Sequence, residues 1–485
     1  MNLSSVQHKL KKWLSFNFAA NTNWAATLFH SPKLKYFNRP STQPPVTMAD
    51  QHSMNLKPSN RFLGKRTIFY DDEEEQTLTL NRCTVGSNSS SSNQFTSSQS
   101  YSYKRHTKWK SRKLESSNTQ DFRNWSYSAD CDPYDIRDKI ILVSYNILAV
   151  ENASKHPHLY LKVPFKYVKW EHRRAAIRKE LAQYGPSILC FQAIDCYSDL
   201  HDALQQDGFE GVLKARTGDA RDGCAIFWNY KRFKLLHEES IEFQSFGLRD
   251  NVAQFCVLKM NDDRLNPDSK MSKPRCLVVG NIHVLFNPNR GDIKLGQIRL
   301  FLEKAHRLSE EWGGIPVVLG GDFNSVPQSA MYQYISSAKL DVLQQDRKRI
   351  SGQIEKPLCH SFLTKGTFRQ KRLTYTWTDE ELKLATGSEE VTCLQHSLNL
   401  RSAYLGVPGT VTTRDNLGEP LVTSFHSKFM GTVDYIWHSD QLVPVRVLET
   451  LPRNALEKMG GLPSKIWGSD HLALVCEFAF AKNEA

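Results

Sequence analysis

The chain has 485 residues, 40% hydrophobic and 11% aromatic, enough to bury one large α/β core beside a tail. No run approaches the roughly 18 apolar residues of a membrane span, and ten scattered cysteines without a Cys-x-x-Cys pair exclude a disulfide framework. The net charge of +12 suggests nucleic acid until it is located: residues 1–130 carry 18 Lys/Arg against 9 Asp/Glu, a balance of +9, which leaves +3 for the rest.

No acidic residue precedes Asp50, while Lys9, Lys11, Lys12, Lys33, Lys35 and Arg39 do. With weak amphipathic character around Val6, Leu10, Trp13 and Leu14, this composition is compatible with an organellar transit peptide. A disordered basic leader is the preferred reading, because the apolar face is short. Residues 71–75 form an acidic run, read as a solvated segment. Residues 86–102 are mostly Ser, Asn and Gln and cannot bury enough apolar surface to fold. The cluster Lys104, Arg105, Lys108, Lys110, Arg112 and Lys113 surrounds Trp109. It reads as a nuclear-import signal, a loose RNA-contacting arm, or plain linker charge. Residues 1–121 are therefore expected to be a largely disordered basic tail, and residues 122–485 the folded domain.

Within that domain, residues 139–145 (KIILVSY) read as a buried strand that delivers Asn146 at its end. One helix is expected over 166–184, with Trp170, Arg173, Ile177, Leu181 and Tyr184 on one stripe and Gly185-Pro186 as its stop. Residues 187–192 (SILCFQ) form a second strand, followed by a polar helix to about Asp207. Further strand-like runs fall at 223–229, 252–259, 275–283, 315–319, 432–438 and 472–480, and helical patterns at 292–311 and 329–337. The strand at 315–319 is expected to end in a sharp turn at Gly320-Gly321, with Asp322 and Asn324 emerging on one face. Many strands with helices between them imply an α/β fold, two packed sheets flanked by helices.

Polar residues cluster at these strand ends: Asn146, Gln192, Asn281 and His283, Asp322 and Asn324, Asp434, and Ser469-Asp470-His471. A carboxylate beside a carboxamide can hold a water and donate to a phosphate oxygen. Singly, each is as well explained by a turn cap or a satisfied histidine. Their order along the chain resembles the endonuclease/exonuclease/phosphatase superfamily, and within it the carbon-catabolite-repressor-type deadenylases and their Angel-type relatives. The resemblance covers about residues 122–480. It rests on Ser144-Tyr145-Asn146-Ile147-Leu148-Ala149, Asn281-Ile282-His283, Gly291-Asp292-Ile293-Lys294-Leu295, Gly321-Asp322-Phe323-Asn324-Ser325, Val433-Asp434-Tyr435-Ile436-Trp437 and Ser469-Asp470-His471.

The resemblance implies a four-layer α/β sandwich, two mixed β-sheets face to face between helices, and magnesium-dependent attack of water on a phosphodiester. By its pattern Asp322 would take the proton from the water, and Asn324 and Asn146 would fix water and phosphate. His471 would donate to phosphate oxygens with Asp434 orienting its ring, and His283 would be a second phosphate contact. Asp470 would lie at the metal, and Asn281 at the substrate. Pro288 and Phe429 match a pair that sandwiches adenine in deadenylases, worth about 1–3 kcal/mol per stacked base; simple packing is the alternative. One position departs from the family pattern. Ala193 stands where a glutamate is the principal magnesium ligand, a serious loss for an ion that relies on one or two carboxylates. Asp195, two residues on, or a softer ion such as manganese would be the rescue.

The expected activity is a 3′-to-5′ exoribonuclease that shortens mRNA poly(A) tails, using Mg2+ with Mn2+ as a substitute. The alternatives are a silent RNA-binding pseudo-nuclease, and a 2′,3′-cyclic phosphate or nucleotide phosphatase. The expected partner is RNA rather than membrane, with cytoplasm and nucleus as the family's compartments. No leucine-rich repeat precedes the domain, so membership of a deadenylase complex does not follow.

Overall fold

The computed structural model describes residues 123–129, 139–261, 275–353 and 376–481, and the tail expected over 1–121 lies outside them. Strands β1 (Trp125–Tyr127), β2 (Ile140–Asn146), β3 (Ile188–Gln192), β4 (Phe209–Ala215) and β5 (Gly223–Asn229) come first. They are followed by β6 (Phe233–Glu242), β7 (Val252–Met260), β8 (Cys276–His283) and β9 (Val317–Asp322). Short strands β10 (Lys339–Asp341), β11 (Cys393–Gln395), β12 (Leu400–Ser402), β13 (Ser424–His426) and β14 (Phe429–Gly431) precede β15 (Asp434–Ser439), β16 (Leu442–Leu448) and β17 (Leu474–Phe480). One sheet runs β1-β16-β17-β2-β3-β5-β4 and the other β12-β15-β9-β8-β7-β6. Among the described pairings β2–β3 and β8–β9 are parallel and the rest antiparallel, so both large sheets are mixed.

Side chains alternate between the faces of a strand, and here both faces are covered. Ile140 and Leu142 of β2, Ile188 and Cys190 of β3, Val279 of β8, Val318 of β9 and Ile436 of β15 share one core between the sheets. The intervening Val143, Leu189 and Phe191 pack outward with Ile177 and Leu181 from helix Trp170–Ala182 and Leu200 and Leu204 from helix Tyr197–Gln206. On the far side, Val317 and Leu319 pack with Ile298, Phe301 and Leu302 of helix Gly291–Glu311. Helices, sheet, sheet, helices: the expected four-layer sandwich is what forms. No described helix is long and apolar enough to cross a membrane.

Two local expectations need correction. The single helix over 166–184 is two, Phe165–Val168 and Trp170–Ala182, split where Lys169 is extended (ψ 138°). Buried Arg173 stabilises the break, its Nε donating to the Val168 carbonyl at 2.9 Å. Likewise the strand does not turn at Gly320-Gly321. It runs on through Asp322, which pairs with His283 on one side and Asp434 on the other. Gly320 is needed there for close approach: a Cβ would stand 3.1 Å from that of Ser144 in the facing sheet. The turn comes at Asn324, whose φ of +46° is left-handed.

Candidate active site

The site follows from strand periodicity. Extending each inward-facing series by two residues replaces apolar side chains with polar ones: Leu142–Ser144–Asn146, Ile188–Cys190–Gln192, Val279–Asn281–His283, Val318–Gly320–Asp322, and Ile436–Asp434. The parallel registers put Asn146 beside Gln192 and His283 beside Asp322, while antiparallel β15 begins with Asp434 next to Asp322. Inward residues of both sheets therefore meet at one end of the sandwich.

Asp322 is the hub. Its Oδ1 accepts the Asn324 backbone N–H at 2.9 Å and its Oδ2 the Asn146 amide at 3.0 Å. The same Oδ2 lies 3.5 Å from His283 Nε2 and 3.8 Å from His471 Nε2. Asn146 in turn accepts from the Leu148 backbone N–H at 3.0 Å, which fixes the face of its amide. His471 Nδ1 is 2.9 Å from Asp434 Oδ2, and the Asp434 backbone N–H donates to the Thr423 hydroxyl at 3.2 Å. Burial pulls the His471 imidazole down, but Asp434, Asp322 and Asp470 together drive it well above its ordinary value, so it is an imidazolium at neutral pH. His283 goes the other way. Burial lowers it, with Arg216 and His471 acting in the same direction against Asp322 and Asp222, and it stays neutral.

Asn324 is locked from several sides. Its amide donates to the Val284 carbonyl at 2.9 Å and accepts from Gln353 Nε2 at 3.2 Å. Lys294, fully buried, donates to the Asn324 carbonyl and to Gln353 Oε1, both at 2.8 Å. Burial brings the Lys294 ammonium down to about 7, with Asp322 opposing. Sequence reasoning gives Lys294 no role and misses Gln353. A signal exists for the lysine, because it heads the buried stripe Ile298, Phe301, Ala305, Leu308 of its helix. Gln353 sits in a loop and has none.

Three further expected site residues have partners of their own. Asn281 has both amide hydrogens on the Phe191 and Ala225 carbonyls, at 2.9 and 3.0 Å, and its oxygen takes Gln192 Nε2 at 2.8 Å. It ties the two sheets together and has no donor left for substrate. Asp195 accepts the Glu151 backbone N–H at 2.9 Å, in the first turn of helix Val150–Lys155, and stands outside the acidic cluster. Asp470 is buried beside His471 and accepts the Tyr160 hydroxyl at 2.9 Å. Ala193, at the expected ligand position, is buried with φ +52°. Pro288, half-buried, lies in the loop after β8; Phe429, half-buried in β14, has its ring 6.1 Å from that of His426.

Among the described residues, Asp322, Asp434 and His471 offer three buried ligand atoms within 4.8 Å of one another, a set that could hold a metal ion. Two carboxylates suit a hard divalent cation, and the His471 nitrogen, a ligand only once it has lost its proton, would then favour manganese over magnesium. The fit is also electrostatic. Burial raises the Asp434 carboxyl and Asp322 raises it further, a repulsion that either a cation or the His471 imidazolium neutralises.

This architecture has known counterparts. The family model described as Endonuclease/Exonuclease/phosphatase family matches residues 143–471. Carbon catabolite repressor protein 4 homolog 5 of Arabidopsis thaliana is 56% identical over 371 residues, spanning 74% of this chain and 81% of that protein. The CCR4-Not complex 3′-5′-exoribonuclease subunit Ccr4 of Yarrowia lipolytica is 27% identical over 390 residues, 72% of this chain and 49% of that one. Among solved structures, ANGEL2, a 2′,3′-cyclic phosphatase, in complex with adenosine-2′,3′-vanadate superposes with a TM-score of 0.60 at 30% identity, covering 74% of this chain and 99% of that one. With its sandwich, its inward strand tips and these likenesses together, the chain belongs to the endonuclease/exonuclease/phosphatase family of hydrolases, alongside the carbon catabolite repressor 4 and Angel homologues.

Proposed function

We propose that the protein is a 3′-to-5′ exoribonuclease that shortens poly(A) tails. The observation that carries the mechanism is the single oxygen Asp322 Oδ2, on which the Asn146 amide and the His283 and His471 rings converge. Asp322 takes a proton from the attacking water as the oxygen bonds to phosphorus, and the bond to the 3′ oxygen of the preceding nucleotide breaks, that oxygen keeping the electron pair and taking a proton from solvent to become the new 3′-hydroxyl. His471, charged and held by Asp434, donates to the phosphate oxygens as negative charge builds on them. Neutral His283 supplies a second hydrogen bond there. Asn324, fixed by Val284 and Gln353, orients the water. The carboxylates of Asp322 and Asp434 would hold a divalent ion, which would add positive charge at the scissile phosphate, with His471 left as the charged donor. Pro288 and Phe429 would flank the terminal adenine. Support for the reading comes from the exoribonuclease name of the Ccr4 relative and from these residues.

The ANGEL2 likeness favours a second reading, a 2′,3′-cyclic phosphatase acting on RNA ends with the same residues. One assay separates the two: 5′-labelled oligo(A) and an RNA ending in a 2′,3′-cyclic phosphate, each with Mg2+ and with Mn2+. A ladder of shortened oligo(A) is the expected result. Opening of the cyclic phosphate without any ladder would replace the first reading by the second.

A further inference from the structure

From residue 152 to residue 170 the chain carries no acidic residue but four lysines, Lys155, Lys162, Lys166 and Lys169. The segment folds as the end of helix Val150–Lys155, a short turn Pro157–Tyr160 and helix Phe165–Val168. It is pinned to the cleft at its inner side. The Tyr160 hydroxyl donates to Asp470 beside the catalytic imidazole. Ser427, from the turn of the β13–β14 hairpin that carries Phe429, donates its N–H to the Leu159 carbonyl at 3.0 Å and its hydroxyl to the His158 carbonyl at 3.1 Å.

The outer side is unlike a protein surface with nothing to bind. Leu161 is 80% and Phe165 74% exposed, four residues apart. Around them Lys162, Lys166 and Lys169 are exposed and make no ion pair among the described residues, while Lys155 pairs with Glu151. The Lys169 ammonium lies over the Phe165 ring at 5.3 Å, and that of Lys166 over the Tyr167 ring at 5.0 Å. One aromatic face and one aliphatic side chain between uncompensated cations complement a ligand with flat apolar groups strung on an anionic backbone.

We propose that residues 161–169 form a track for single-stranded RNA. A base stacks on Phe165 and another packs against Leu161, phosphates meet Lys162, Lys166 and Lys169, and the strand leaves the cleft past Tyr160 in its 5′ direction. This rests on the reading of the cleft as a site for an RNA 3′ end. It assigns the enzyme a grip on nucleotides well upstream of the bond that is cut.

The test uses the full chain, a K162A/K166A/K169A variant and F165A, with 5′-fluorescein A20 and A3 followed by anisotropy and by turnover. For A20, the triple variant should raise Kd at least about tenfold. It should also make the slope of log Kd against log salt shallower by about 2, since each phosphate no longer neutralised by a lysine removes about 0.7. F165A should raise Kd for A20 about 5-fold or more. Neither should change A3 binding or turnover, nor kcat on A20. Equal A20 binding by native and variant chains overturns the track alone, as does an equal weakening on A3 and A20. A native chain that binds neither oligomer overturns the RNA reading and the track with it. If the native chain, but not the variants, binds phosphatidylserine vesicles while A20 is ignored, the ridge faces a lipid surface and the proposal fails.

Discussion

Around Asp322, polar atoms of the site answer to other strands: Asn146 from β2, His283 from β8, and the Asp434–His471 pair spanning β15 and the approach to β17. Around Ala193 the same family framework is put to other uses. Asp195 caps a helix, Asp470 takes a tyrosine hydroxyl, and buried Arg173 supplies the positive charge that both carboxylates feel. On the proposed reading, hydrogen bonds across strands set the proton-transfer geometry around Asp322, and without a carboxylate at Ala193 the positive charge on that side comes from neighbouring guanidinium and imidazolium groups.

The largest effect should come from Asp322→Ala, which removes the hub. We expect kcat to fall about 10³-fold with the melting temperature little changed, measured on whichever RNA end the protein turns over. Retained activity would mean that the two halves have been assigned the wrong way round.

Asp434→Asn should cost about 10² in kcat, and it carries a pH signature. Because His471 is raised in the native fold, its imidazolium persists well above the ordinary value of about 6.5. Removing the carboxylate charge lets the ring lose its proton at lower pH. The alkaline limb of the pH–rate profile should therefore move towards acid, and the His471 imidazole titration seen by NMR should move with it.

The Ala193 side is probed by gain. Ala193→Glu restores a hard ligand and should raise activity about tenfold at millimolar Mg2+; no change would show that the ion is held on the Asp322 side alone. The smallest effect is structural. Ala193 is an L residue with positive φ, so Ala193→Gly should stabilise the fold by about 1 kcal/mol in denaturant titration with activity unmoved.

Much of this is legible in the chain. Asn146, His283, Asp322 and Asp434 can be read because each continues a period-two apolar series, and alternation survives from sequence to sheet. Asn281 continues such a series too, yet its amide serves the fold and not the substrate. Whether an inward amide faces the cleft or the opposite sheet depends on what stands across from it, here Gln192 and two carbonyls. Asp195 escapes the pattern for a related reason, since its partner is a helix N–H 44 positions away in sequence. The continuation of β9 through two glycines runs against local propensity. Pairing on both flanks, and the need for β9 to pass close to Ser144, override it.

The amide bridge of Asn281 and Gln192 bears on how the molecule can move. It sits between the sheets with Asn281 paired to Gly320, two residues before Asp322, its hydrogens pinned to carbonyls of β3 and β5. Sliding one sheet over the other would strand several desolvated dipoles at once, at about 1–3 kcal/mol each. Shear is thereby disfavoured as a route to opening, and any adjustment to a bound strand falls to the loops and hairpins at the rim.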